Sequence, residues 1–412
     1  MLKNYFKIAI AVLKRRKFFT FISLFGISFT LTILMVGTAF IDKMISTDYP
    51  DLKRDRSLYI STMELNNSKE GWMNRGNVSL NVLNTYVSTL KTPEKLAISS
   101  MAASTNTYIN NKKIKVDYKY TNAAYWEVME YVFLEGKPYT QQQLDQSQRV
   151  AVISESLKLD YFGDAKSVIG KQIEADNVSY QVIGVVQNVS RTLMYCYGSL
   201  YLPYTVSKTG YKNADIMGDY IGVLLAKSKD DLPKVQAEYD QMIKKVPINN
   251  KEYDRLYCHA SPYLDNFTRD NFGSYDNSGL NKAYTYLASL IFIFLLLPTI
   301  NLVNINITRI MERSSEIGVR KAFGASSKTL VYQFIIENII LTFIGGLIGL
   351  VLSILTIYVI NEADLITNLN LTLNLKVLVY SFISCLFFGL ISGVYPAWQM
   401  SRLNVVMALK AQ

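Results

Sequence analysis

E-R-S-S-E-I-G-V-R-K-A-F-G-A-S, residues 312–326, is a dense charged cluster between two long apolar runs near the C-terminus. Glu312 and Glu316 stand four residues apart, as do Glu316 and Arg320, a spacing that suits a short helix with paired charges on one flank. Gly324 supplies a stop. With Ile317, Val319 and Phe323 as anchors, such a helix can lie along a membrane surface and present its polar face to a soluble partner. A basic loop that merely orients the neighbouring spans would account for the same charges.

Four apolar stretches are long enough for the roughly 20 residues that cross a bilayer. They are 18–41, 283–307, 329–360 and 377–397. Residues 1–17 carry six basic residues and no acids, 308–328 carry five basic and two acidic, and 398–412 carry only Arg402 and Lys410. The block 42–282 is nearly neutral, and Glu362 and Asp364 stand in the short connection after the third stretch. This asymmetry is the positive-inside pattern. It places both termini and 308–328 in the cytoplasm, and 42–282 and the short 361–376 loop outside, in a multi-pass membrane protein. The net charge of +10 is then a mark of topology, and nucleic acid is not expected as a partner.

Residues 3–17 put Lys3, Lys7 and Lys14 along one helical side and Phe6, Ile10 and Leu13 along another, as in an amphipathic helix on the inner surface. The 18–41 stretch is longer than a signal-peptide core and reads as an uncleaved anchor. Its Ser23, Gly26, Ser28, Thr30, Thr32 and Gly37 suit packing against other helices. In the second span, Pro298 predicts a kink, and Asn301, Asn304 and Asn306 gather near the inner end. The third carries Glu337, which would cost on the order of 3 kcal/mol if ionised in mid-bilayer and is expected to reach the interface or a protein contact. Gly345 and Gly349 form a G-x-x-x-G step that allows close helix approach.

Residues 42–282 read as a water-soluble α+β domain of two lobes, large enough for its own core. Its start looks poor in strands, with helical patterns near 78–90 and 122–129. The clear β signals are 149–154 and 179–186, runs rich in β-branched residues. Between them Glu155 to Phe162 looks helical and ends at Gly163, and Gly170 turns into 171–175. Cys196 and Cys258 both fall outside, where a disulfide is permitted but not required. His259, the one histidine, has no Cys or His cluster for a metal site. No catalytic residue stands out, since Ser154 and Ser156 beside Glu155 lack a base.

These residues together resemble the MacB/FtsX superfamily of ABC-transporter permeases. The 312–326 stretch is similar to the family's E-R-x-x-E-I-G-x-R-K-A-x-G-A-S cytoplasmic segment. V-A-V-I-S-E-S-L, Y-F-G, I-G-K and V-I-G-V-V within 149–186 resemble the MacB-type extracytoplasmic core, and Y-P-A-W with S-R-L-N within 392–410 resemble the family's C-terminal end. The resemblance implies an α-helical protein of the bacterial inner (plasma) membrane with four transmembrane helices and a large α+β extracytoplasmic domain inserted between the first and second. It implies mechanotransmission, in which closure of two cytoplasmic ATPase subunits is relayed through long helices to outer domains for export of a drug, peptide, toxin or lipoprotein. Glu312, Arg313, Glu316, Ile317, Gly318, Arg320, Lys321 and Gly324 would then form the ATPase-docking surface.

The implied partners are an ABC ATPase, a second permease copy or paralogue, the bilayer, and as further candidates a periplasmic adaptor and outer-membrane channel. ATP and Mg would enter only through the ATPase subunit, with no cofactor bound by this chain. MacB itself carries its ATPase on the same chain, but no G-x-x-x-x-G-K-[ST] is found here, so a separate subunit is expected. An FtsX-like regulator of a cell-wall hydrolase or of envelope signalling is the alternative; a membrane-anchored ectoenzyme is a distant third.

Overall fold

The computed structural model describes residues 15, 17–109, 112–208, 215–274, 277–311, 319, 327–363, 365–380, 382–384, 386, 387 and 390. Two compact units divide the chain. One comprises Met1–Lys43, Thr285–Leu365 and Leu371–Gln412; the other comprises Met44–Tyr284 with Ile366–Asn370.

The first unit is helical. Its long helices are Lys17–Ile45, Leu280–Met311 and Ser327–Glu362, and the first and last contain stretches long and apolar enough to cross a membrane. The Lys17–Ile45 helix turns Phe21, Phe25 and Phe29 outward in an i, i+4 stack with ring centroids 6.1 and 5.5 Å apart. It buries Ser23, Ile27, Ser28, Leu31 and Met35 on the other side. The Leu280–Met311 helix continues through Pro298 without interruption. The basic 1–14 stretch, the 398–412 tail and Cys385 lie outside the described residues.

The second unit is built on one hydrogen-bonded sheet of 14 strands among the described residues. In chain order these are β1 (Ser57–Ile60), β2 (Thr62–Asn66), β3 (Met73–Val78), β4 (Lys95–Ser100), β5 (Ala103–Ile109), β6 (Lys112–Thr121), β7 (Phe133–Gly136), β8 (Val150–Ser154), β9 (Gln172–Ala175), β10 (Val178–Val186), β11 (Leu200–Pro203), β12 (Met217–Gly218), β13 (Tyr220–Leu225) and β14 (Arg255–Cys258). The main path runs β14-β2-β3-β13-β4-β6-β11-β8-β10-β7, with β1 on β13, β12 on β3, β5 on β6 and β9 on β10. The start of the domain is therefore rich in strands, contrary to the reading from sequence. Met63 and Leu65 face the core while Thr62, Glu64 and Asn66 alternate with them, so a polar face hides a short strand. The strands join in one hydrogen-bonded sheet.

The β8–β10 region shows how local chemistry sets this architecture. Every residue of β8 is buried, as suits a strand covered on both faces and paired in parallel with β10. Ser154 then caps the Glu155–Phe162 helix by accepting the Leu157 N–H at 3.2 Å, and Gly163, at φ +62°, ends it. Asp176 and Asn177, both with positive φ, make the two-residue turn that joins β9 to β10.

Three apolar clusters cover the sheet. The residues of β1 divide between two of them, Leu58 and Ile60 in an aliphatic cluster, Tyr59 in an aromatic one with Tyr125, Trp126, Tyr139 and Tyr201. Cys196 and Cys258 are free, buried thiols in different clusters. Tyr239 donates to the Cys258 sulfur at 3.1 Å, and burial pushes that thiol up to about 12.

Lys119, on β6, is fully buried, donating from Nζ to the Tyr195 carbonyl at 2.8 Å. Burial lowers its pKa from 10.5 to about 8, against the opposing pull of Cys196. The charged form is thus disfavoured in the fold, and the cost is fully present below pH 8. Between about 8 and 10.5 the unfolded chain holds a proton that the folded one has shed, so stability rises with pH by about 3 kcal/mol from this group. Urea midpoints at pH 7.5 and 9.5 should rise for the wild type, and Lys119→Met should flatten that rise.

Candidate functional site

The sequence between the first long helix and the sheet, S-T-D-Y-P-D-L-K-R-D-R over 46–56, ends in a single turn, Arg54–Arg56. The turn aims Arg54 inward. Its Nε donates to Asp51 Oδ2 at 2.8 Å, and its Nη1 donates to the carbonyls of Ser46 at 2.6 Å and Ile45 at 2.9 Å. Those carbonyls lie at the C-terminal end of the Lys17–Ile45 helix, where backbone acceptors have no partner within the helix and where a positive charge is favoured.

The knot is closed on its other side by aromatic rings. The guanidinium lies 3.8 Å from the Tyr263 ring centroid, and the Tyr59 hydroxyl donates to both Asp51 oxygens at 2.8 and 2.7 Å. Tyr59 also packs on Tyr263 and Tyr195, with centroids 5.3 and 5.6 Å away. Arg54 is 7% exposed and Asp51 1%, so the ion pair is held out of water. Burial disfavours the Arg54 charge, but Asp51, Tyr263 and Tyr59 together outweigh it and hold the pKa above its ordinary value. Burial and the neighbouring Asp51 hold Tyr59 neutral, well above the usual phenol range.

Tyr263 opens the Tyr263–Phe272 helix, the last element of this unit before the Leu280–Met311 helix. The knot therefore joins, within the folded domain, the point where the chain enters it and the segment through which it leaves. Ile366–Asn370 adds a third connection, with Arg191 N donating to the Thr367 carbonyl at 3.1 Å and Asn368 Nδ2 to the Val189 carbonyl at 3.4 Å.

In the helical unit, Gly345 and Gly349 face the Lys17–Ile45 helix. A Cβ on Gly345 would stand 2.8 Å from Ile27 Cγ2, and one on Gly349 would stand 2.9 Å from the Ser28 carbonyl oxygen. The Gly349 carbonyl accepts from Thr32 Oγ1 at 3.2 Å and from Ser353 Oγ at 2.6 Å. Glu337 is fully buried in this unit beside Asn338, in a protein environment. Glu312, Arg313, Glu316, Ile317, Gly318, Arg320, Lys321 and Gly324 lie outside the described residues. Sequence reading passed over Arg54 and Asp51. The available sign was an arginine close to the C-terminal end of a long apolar stretch, where the last helical carbonyls lack partners.

The MacB-like periplasmic core domain matches residues 20–242, and the FtsX-like permease C-terminal domain matches 288–405. The chain belongs to the MacB/FtsX family of ABC permeases. The permease is 26% identical over 283 residues to the macrolide export ATP-binding/permease protein MacB of Campylobacter jejuni, a match covering 67% of this chain and 41% of that one. It thus spans about two-fifths of that relative's length. It is 23% identical over 320 residues to the uncharacterized ABC transporter permease YknZ of Bacillus subtilis, covering 77% of this permease and 75% of YknZ. Among solved structures it is similar to the periplasmic region of MacB from Actinobacillus actinomycetemcomitans, with a TM-score of 0.38 and 18% identity over 56% of this chain and 96% of that one.

Proposed function

We propose that the permease is the transmembrane subunit of an ATP-driven mechanotransmission transporter. It crosses the membrane four times, keeps both termini in the cytoplasm and holds residues 42–282 outside. A separate ABC ATPase docks on 312–324, where Glu312, Arg313, Glu316, Ile317, Gly318, Arg320, Lys321 and Gly324 form the coupling surface. ATP and Mg act in that partner. Its closure moves the long helices of two permease copies or paralogues, and the outer domains move cargo already beyond the membrane, a drug, peptide, toxin or lipoprotein, toward an adaptor and outer-membrane channel.

The observation that carries this reading is the buried Arg54 knot. A helix meant only as an anchor needs no fixed end, whereas one that delivers displacement must end in something stiff. Here its final carbonyls are held by a desolvated, charge-assisted contact inside the domain. The Gly345 and Gly349 contacts support the same reading, because closely packed helices transmit displacement with little slack.

Charge reversal at Glu316 or Arg320 is the test. Membrane insertion should be unchanged, while recovery of the ATPase subunit in a pull-down and permease-stimulated ATP hydrolysis should each fall roughly tenfold or more, as for loss of charge-assisted contacts at an interface. A wild-type pull-down that recovers no ATP-binding subunit would defeat the proposal. Recovery of a cell-wall hydrolase on the outer domain would favour the regulatory alternative.

A further inference from the structure

At the β14-β2-β3 end of the sheet a cleft of about 450 Å³ opens, lined among others by Glu64, Asn66, Trp72, Arg75, Arg255 and Tyr257. It lies on the face of β2 opposite Met63 and Leu65, which are in the core. The strand register fixes its floor. Tyr257 and Arg75 flank Glu64 on one rung, and Arg255 and Met73 flank Asn66 on the next.

Two acceptors on this floor are unsatisfied. Glu64 is 7% exposed, and among the described residues no hydrogen bond or ion pair reaches its carboxylate. Asn66 Oδ1 is buried without a hydrogen-bond partner. The adjacent Arg75 is engaged elsewhere, donating to Asp270 Oδ1 at 3.2 Å and to the Arg269 carbonyl at 3.1 Å. A carboxylate on a largely buried side chain is costly unless a donor meets it, and the Glu64 oxygens still reach the cleft. A ligand ammonium supplies several N–H donors and one positive charge, which is what this carboxylate lacks.

The walls narrow the ligand class further. Trp72 is 41% exposed and held edge-on by Tyr253 at 5.1 Å, giving an apolar surface beside the floor. Arg255 is a diagonal neighbour of Glu64, at roughly 7–8 Å by sheet geometry, and its guanidinium suits a carboxylate. Ammonium and carboxylate recognition at that separation, with an apolar surface beside them, match the two ends of a short peptide.

We propose that this cleft binds a short apolar peptide, its α-amino group on Glu64, its carboxylate on Arg255 and an apolar side chain on Trp72. The inference concerns the folded domain alone and stands whether or not the permease transports anything. Equilibrium dialysis of the full-length protein in detergent with leucyl-phenylalanine, its N-acetyl form and its C-terminal amide tests it. Leucyl-phenylalanine should bind saturably, and N-acetylation or Glu64→Gln should each weaken it roughly tenfold or more, the scale of one charge-assisted hydrogen bond. Arg255→Ser, at an exposed position, should erase the preference for the free acid over the amide while leaving binding of the amide unchanged. Absence of saturable binding at millimolar peptide, equal affinity for the N-acetyl form, or unchanged affinity in a folded Glu64→Gln protein would each overturn the proposal.

Discussion

Arg54→Ala should destabilise the outer domain by about 3–5 kcal/mol, because it leaves the Asp51 carboxylate buried beside Tyr59 without its countercharge. The Ser46 and Ile45 carbonyls lose their donor in the same step. Arg54→Lys should recover only part of the loss. An ammonium can meet Asp51 or the backbone carbonyls, but it lacks the planar fork that reaches both while lying on the Tyr263 ring. Asp51→Asn in the Arg54→Ala background should be less harmful than the sum of the two single changes, since it removes the stranded charge. Urea titration of the full-length protein, with hydrogen exchange over 44–60 as the local readout, measures all three. Equal stability of Arg54→Ala and wild type would mean that the knot is not needed to hold the chain entry.

The second large effect is expected in the helical unit. Gly349→Leu places a branched side chain where even a Cβ would come within 2.9 Å of the Ser28 backbone oxygen and 3.1 Å of Leu31 Cβ. The backbone cannot yield as a flexible side-chain end would, so the helices must separate, at a cost of about 1–3 kcal/mol or more. Gly345→Leu meets Ile27 Cγ2 at 2.8 Å and Ile27 Cβ at 2.9 Å; a rotamer change moves only the first, so it too should force the helices apart. Thermal unfolding in detergent should place wild type above both variants. Loss of the Thr32 hydrogen bond to the Gly349 carbonyl would accompany the Gly349→Leu change.

Much of the domain could be read before its structure. The run 149–154, the helix Glu155 to Phe162 and its stop at Gly163 were legible because the β-branched run, the Ser154 cap and the glycine all act locally. The turn at Asp176 and Asn177 was equally local but went unread, and with it the hairpin of β9 and β10. The strands β1–β3 were missed for a different reason. They are four to six residues long, and the polar side of β2 carries Glu64 and Asn66, whose place is set by β3 and β14 from distant parts of the chain. No pattern within 57–78 shows that.

The site was legible unevenly. The spacing of Gly345 and Gly349 marked a surface for close approach, and the structure supplies Ile27 and Ser28 as what approaches. Arg54 could not be placed, because its role depends on carbonyls at 45 and 46, on Asp51 and on Tyr263, more than 200 residues downstream. The charged 312–326 stretch has the opposite character. Its meaning rests on its agreement with a family pattern and waits on a partner for its test.

The most direct measurement follows, in the proposed dimer, the distance between the two sheet domains during nucleotide turnover. Spin labels at Lys229→Cys, an exposed position in that domain, would be read by pulsed electron resonance in the permease reconstituted with the proposed ATPase, in wild type and in Arg54→Met. The expected result is a nucleotide-dependent change of distance in wild type that is lost in Arg54→Met while ATP hydrolysis continues. An unchanged distance response in the variant would show that motion reaches the outer domain without the Arg54 knot, contradicting the account.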